Sequence, residues 1–285
     1  MTPWVVMRCY NDAWVVGDTL AGLSRQRMAH RLLVFDNESS DGSKEIIARS
    51  GARIVNVPKG AYVPGRVLNQ AMRETDGEVV VFVNSDCVPQ DDHWLEELVA
   101  PFAADPALAA VFGRQVPRPE CWPLFAKDTE DTFGDGSRQR FWRHCFSMAS
   151  SAVRRAAWEE MPFREDIQYS EDVDWTWRQR QAGRTIRYTP KSVAMHSHNY
   201  TLRQFHKRQF GEGKAEARIF DWTPWERSLP RYSLLPFARQ VVADWRWALH
   251  HGRFGALGHS PLLRGAQMLG RRKGFNAGWR ERGAT

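Results

Sequence analysis

Two acidic clusters stand about 85 residues apart in this chain: Asn84-Ser85-Asp86, which ends the apolar run 79–83, and Ser170-Glu171-Asp172, which opens the run YSEDVDWTWRQR. A carboxylate at the end of a buried run is costly to leave unpaired. A divalent cation bridging diphosphate oxygens would pair with Asp86, and oxygen ligands suit Mg2+ or Mn2+. The plainer alternative is that Asp86 fixes the turn before Pro89 or caps a helix near Asp91. Glu171 and Asp172 are neighbours on a helical run and point about 100° apart, so a single task does not suit both. One can take a proton from an attacking alcohol while the other anchors the helix end. Favourable charge at a helix N-terminus is the alternative for the pair.

Other residues join these by type and position. Asp36 directly ends the apolar run 31–35, where a carboxylate meets a base or ribose. The stretch 39–42 after it has turn and capping chemistry. His196 and His198 alternate along an extended segment and so face one side, as metal ligands or as hydrogen-bonded core histidines. Arg114 and Gln115 close the run 108–116 and Arg118 follows it, within reach of a sugar or phosphate. Arg178, two turns beyond Glu171, is placed to pair with it or to stay on the surface. There is no GxGxxG and no Walker A loop, which removes support for hydride transfer or P-loop chemistry. A nucleotidyltransferase would carry a Gly-rich basic loop after its first strand, and RCYNDAWVVGD has none.

The elements that must position these residues alternate. Strand signals at 4–8, 31–35, 53–57, 78–83 and 108–116 are interleaved with helical spacing at 12–26, 43–49, 65–74 and 91–103. That alternation predicts an α/β fold with a mostly parallel sheet covered on both faces. Ligands of such sheets collect beyond the carboxyl ends of the strands, where Asn11, Asp36 and Asp86 fall. From 117 to 143 the pattern gives way to a loop rich in Pro, Gly and charge. Beyond it lie a strand near 145–151, a helix 154–160, a helix 171–182 capped by Ser170, and short strands 184–188 and 192–197. Past residue 201 the chain is helical, broken at Pro224, Pro230, Pro236 and Pro261.

The 285 residues suffice for one large α/β domain with an extension. Thirteen Trp and fifteen Phe exceed what such a core needs, which points to sugar stacking or interfaces for some of them. Four widely spaced cysteines without CxxC fit reduced thiols in a cytoplasmic protein. No signal peptide is read at MTPWVVMRCYND, and no run reaches the ~18 apolar residues of a spanning helix. Residues 201–285 hold 16 Lys/Arg against 6 Asp/Glu, a formal +10, which leaves −3 for the first 200. A basic tail interleaved with Trp222, Trp225, Trp245, Trp247 and Trp279 fits an anionic membrane surface, a dimer contact or simply a solvated helical face. The pI of about 9.5 raises nucleic-acid binding, but no recognition motif accompanies it.

The segments RCYNDAWVVGDTLAGLSRQ, VFDNESSDGS, GRVLNQAMRETDGEVVVFVNSD, SEDVDWTWR and VAMHSHNY, in that order, resemble the inverting family 2 glycosyltransferases of GT-A fold. The resemblance implies a GT-A domain over 1–215 and a basic, Trp-rich helical extension over 216–285. It implies that Asp36 binds the donor base, that Asp86 holds Mg2+ or Mn2+, and that Asp172 is the base with Glu171 in support. A histidine completes the metal shell, His196 in preference to His198. Asn84 replaces the family's first aspartate. Arg8, Asn11, Asn69, Asn84, Ser85, Arg114 and Gln115 fall to the donor, and Arg118, Trp142 and His198 to the acceptor or a lid. FGRQVPRPECWPL, FSMASSAVRRAAWEEMPF and MHSHNYTLRQF further resemble bacterial rhamnosyltransferase-type members. These imply a dTDP- or UDP-sugar donor, a glycan or polyprenyl-linked acceptor, and work at the inner face of the membrane. A silent glycosyltransferase-like scaffold or a nucleic-acid-binding protein is the alternative.

Overall fold

The computed structural model describes residues 2–283; the first residue and the last two of the basic tail lie outside that range. The first half alternates strictly: β1 (Trp4–Cys9), α1 (Val16–Ser24), β2 (Arg31–Asp36), α2 (Ser43–Arg49), β3 (Arg53–Asn56), α3 (Pro64–Glu74) and β4 (Val79–Asn84). The short β5 (Val88–Pro89), α4 (Trp94–Val99), α5 (Pro101–Ala104) and β6 (Leu108–Val116) complete it. Then come α6 (Pro123–Phe133), β7 (Ser150–Arg154), α7 (Arg155–Glu160), α8 (Glu171–Gln181) and β8 (Thr185–Met195). Three long helices end the chain: α9 (Leu202–Ile219), α10 (Leu235–His250) and α11 (Gly255–Arg282).

The sheet runs β3-β2-β1-β4-β7-β6-β8-β5. β3, β2, β1 and β4 are mutually parallel, and β6 is parallel to β8. β7 is antiparallel to both its neighbours. The central strand β4 is apolar from Val79 to Val83 because both its faces are covered. Val79, Val81 and Val83 pack with Val5, Met7, Val34 and helix residues Val16, Ile47 and Leu95. Val80 and Phe82 point the other way, to Val6, Leu33, Phe35, Leu68, Ala157 and Trp175. Polar side chains are thus forced to the strand ends, and parallel pairing brings the ends of β1, β2 and β4 together.

Four local features differ from the expectation. The segment 117–143 contains α6 and a 3-10 turn, Ser137–Phe141. In α6 the buried apolar residues Leu124 and Phe125 sit at one end only, so no helical period shows. The two strands expected at 184–188 and 192–197 are one, β8, whose register to β6 jumps between Gly113 and Arg114. A Cβ on Gly113 would stand 2.6 Å from the Ser192 carbonyl oxygen, so the bulge needs glycine there. Ser170 does not cap α8: its φ is +59° and its hydroxyl donates to Glu212. Pro261 does not break the tail but lies inside α11.

The chain forms two compact units. The first comprises residues through Pro119, Thr129–Ile167 and Glu171–Ser197, and it holds the sheet. The second comprises Glu120–Asp128, Gln168–Ser170 and the chain from His198 onward, around Leu124, Phe125, Phe205, Ala248, Ala256 and Leu263. Residue 215, where the extension was expected to end the first domain, lies within α9. In this second unit α9 and α11 touch backbone to backbone. A Cβ on Gly274 would fall 1.9 Å from the Phe210 carbonyl oxygen, and one on Gly278 2.3 Å from that of Lys214.

Candidate active site

Asp36, the last residue of β2, is fully buried. Its Oδ2 accepts the Ser39 N–H at 3.1 Å, while Oδ1 has no partner within the protein. A buried carboxylate oxygen left without a donor is costly, and the donor edge of a ligand would satisfy it. The turns around it are laced together. The Asn11 N–H donates to Ser39 Oγ at 2.9 Å, and Asn11 Oδ1 accepts the Ser40 N–H at 2.8 Å. The Asp12 N–H donates to Ser43 Oγ at 2.8 Å and the Ala13 N–H to Asp41 Oδ2 at 2.9 Å. Asn11 and Glu38 both hold left-handed backbone, at φ 54° and 52°, which asparagine tolerates best among side-chain-bearing residues.

Arg8 joins the two acidic clusters. It pairs with Asn84 in the β1–β4 register, and its guanidinium donates to Asn84 Oδ1 at 2.9 Å and to Glu171 Oε1 at 3.2 Å. Burial pushes the Glu171 carboxyl up to about 7; the neighbouring Asp172 adds to this and Arg8 opposes it. The bond from Arg8 engages one Glu171 oxygen. With Glu171 already facing Arg8, a neutral Asn84 satisfies a second guanidinium donor without a second buried charge. Asp172 is only half-buried. Its Oδ2 accepts the Met148 N–H at 2.9 Å and its Oδ1 the Val173 N–H at 2.8 Å. Two backbone donors fix this carboxylate while each oxygen keeps a lone pair. Arg178 does not reach Glu171; its Nε donates to Asp174 Oδ2 at 2.8 Å, one turn away, and another nitrogen to the Pro162 carbonyl.

At the end of β4, the buried Asp86 has its Oδ1 3.5 Å from His196 Nε2. His196 Nδ1 lies 2.7 Å from Gln115 Oε1, and Gln115 Nε2 donates to Ser147 Oγ at 2.9 Å. An amide oxygen only accepts, so it takes a proton from Nδ1 and turns Nε2 toward Asp86. The Asp12 carboxyl accepts the Ser85 hydroxyl. Burial raises the Asp12 carboxyl; the Ser85 bond opposes this and the nearby charge of Asp86 adds to it. An oxygen and a nitrogen donor beside a second acidic group fit a divalent cation. Arg118 is buried beside them: its guanidinium donates to the Asp86 carbonyl, stacks 4.7 Å over the Trp14 ring, and leaves Nε without a partner.

Other residues singled out from the sequence are engaged internally or open to solvent. Asn69 is buried in α3 and makes four bonds within the protein, to Phe163 N and O, Trp158 and Glu165. It ties α3 to the loop after α7. Arg114 faces Glu130 at 3.4 Å. Trp142 is solvent-exposed after the 3-10 turn. His198 opens the second unit, its ring 5.6 Å from that of Tyr200. Asp12, Trp14 and Ser147 were not singled out as site residues. Only Asp12 carried a signal, an acid one residue past Asn11 after a buried strand.

The profile of the glycosyl transferase family 2 matches residues 4–161, and the chain belongs to that family. Its fold is that of a GT-A glycosyltransferase, with a helical C-terminal region. It is 28% identical over 238 residues to the O-antigen chain rhamnosyltransferase RfbN of Salmonella typhimurium, covering 78% of this chain and 73% of that one. It is 29% identical over 198 residues to the O-antigen chain rhamnosyltransferase WbaN of Salmonella anatum, covering 64% of this chain and 61% of the relative. Among solved structures it resembles the mannosyltransferase PcManGT from Pyrobaculum calidifontis in complex with GDP-Man and Mn2+, with a TM-score of 0.65 at 18% identity over 95% of this chain and 86% of that one. Glucosyl-3-phosphoglycerate synthase from Mycobacterium tuberculosis, in complex with Mn2+, UDP and phosphoglyceric acid, gives a TM-score of 0.58 at 18% identity, covering 78% of this chain and 80% of that one.

Proposed function

We propose that the enzyme is an inverting, metal-assisted glycosyltransferase. It moves a sugar, rhamnose in the first instance, from a dTDP- or UDP-sugar to a hydroxyl of a glycan or polyprenyl-linked acceptor in surface polysaccharide synthesis. The names of the two Salmonella relatives support the sugar and the acceptor class. The metal in both structural neighbours supports Mg2+ or Mn2+ at Asp86 and His196, with Gln115 orienting the imidazole. When bound, the cation supplies charge that offsets the leaving nucleoside diphosphate. Asp36 receives the donor base through its unpartnered Oδ1. Arg118, beside Asp86, adds positive charge next to the phosphates. Asp172 removes the acceptor hydroxyl proton as that oxygen attacks the anomeric carbon. The bond to the diphosphate breaks on the opposite face, so the configuration inverts. On this reading the enzyme works in the cytoplasm.

The observation that carries the base role is the division within the acidic pair: Glu171 is held by Arg8, whereas Asp172 faces two neutral backbone donors. Asp172→Asn keeps the shape and removes the proton acceptor. Transfer should fall by about 10²–10⁴-fold with donor affinity unchanged. Measured by product formation and nucleotide-sugar titration, retained transfer or lost donor binding would contradict the role.

A further inference from the structure

The second unit has an uncovered apolar face. Along α10, Leu235, Ala238, Val242, Trp245 and Leu249 recur at alternating spacings of three and four, and all are exposed. That spacing normally packs a helix onto a core. The core-facing side of α10 is a different one, formed by Val241, Asp244 and Ala248. Phe254, in the turn before α11, is 66% exposed and lengthens the strip.

The rim of the strip is cationic. Arg239 and Arg246 stand four residues after Leu235 and Val242, and Arg253 follows the helix; all three are exposed, and no carboxylate among the described residues pairs with them. The one carboxylate of α10, Asp244, points inward to Arg264 and Lys127. A second copy laid on this face would bring Arg239 and Arg246 of both chains together with no acid to offset them, which opposes a self-contact. An anionic lipid surface complements both parts, apolar residues below the headgroups and arginines among the phosphates. No helix among the described residues is long and apolar enough to cross a membrane, so α10 would lie in the interface.

We propose that α10 is an in-plane membrane-docking helix for anionic lipid, inserted through Leu235, Val242, Trp245 and Leu249. The proposal does not rest on the donor chemistry above. The test is co-sedimentation of the full-length protein with phosphatidylcholine vesicles and with vesicles holding about 30% phosphatidylglycerol. Wild type should bind the anionic vesicles and be released by salt. Arg239→Gln with Arg246→Gln should weaken binding about 25-fold, roughly fivefold per arginine. Val242→Asp with Leu249→Asp should abolish it, with thermal unfolding unchanged because both sites are exposed. Wild type left in the supernatant, equal binding to neutral vesicles, or variants that bind like wild type would each overturn the proposal. So would a wild-type dimer that the Val242→Asp/Leu249→Asp variant dissociates, which would give the face to a second copy.

Discussion

Two regions of this molecule bury charge, and they do so in opposite ways. In the second unit, Asp244 is fully buried, and its two oxygens accept Arg264 at 2.7 and 3.0 Å, Ser260 at 2.7 Å and an ion pair to Lys127 at 3.2 Å. Arg264 also holds Asp128 through two bonds of 2.7 and 2.8 Å. This network is closed: it fastens α10 and α11 to the start of α6 and offers nothing to a ligand. At the strand ends of the first unit some buried polar atoms are left open. Asp36 Oδ1 and Arg118 Nε have no partner, Asp12 and Asp86 crowd like charges, and His196 Nε2 lies 3.5 Å from Asp86 Oδ1. Buried charge by itself marks structure as readily as function. Incomplete satisfaction among groups of matched chemistry is what marks the site.

Breaking the closed network gives the largest effect. Arg264→Met leaves the buried Asp244 with only Lys127 and Ser260 and removes both bonds to Asp128, and should cost about 3–5 kcal/mol of stability by denaturant unfolding. Nucleotide affinity per folded molecule should not change; a specific loss of affinity at unchanged stability would erase the contrast between the regions. Gln115→Ala should act on the other side of the comparison. Its removal frees the His196 ring and should weaken Mn2+ affinity by about 10–100-fold with little change in stability. Unaltered metal titration would mean that the amide does not orient the imidazole. The smallest effect is a slope with pH. The folded Glu171 carboxyl lies above its ordinary 4.5, at about 7, so the folded state binds its proton more tightly than the unfolded state. Its contribution to stability is therefore fully present below about 4.5 and declines as pH rises through about 7. Glu171→Gln should flatten that decline in thermal unfolding followed across this window; an unchanged profile would remove Glu171 as its source.

How much of this was legible in the sequence depends on how local the cause is. The first strands were legible because a run buried on both faces is apolar at every residue, as 79–83 shows. The strand-end acids were legible because they interrupt those runs. α6 was not, since its buried residues cluster at one end among charges. The β8 bulge depends on how closely Gly113 approaches Ser192, 79 residues away, and has no signature in either stretch. The same holds for pairings. Arg8 inside an otherwise apolar strand demanded a partner, but nothing near it named Glu171, 163 residues on. Gln115 looked like a donor contact from its place at the end of β6; its bond to His196 appears only when β6 and β8 lie side by side. In the tail the charge excess was plain, but not which arginines are closed internally, as Arg264 and Arg271 are, and which stay on the α10 rim.

The proposed cation at Asp86 and His196, serving a nucleotide diphosphate whose base meets Asp36, is tested most directly by thermal unfolding of wild type and Asp86→Ala with dTDP, UDP and GDP, each with and without Mn2+. Wild type should be stabilised by dTDP or UDP in a metal-dependent way, by an amount set by ligand concentration over Kd. Asp86→Ala should lose the metal-dependent part. Equal metal-dependent stabilisation of both proteins, or none of wild type by any nucleotide, would contradict it.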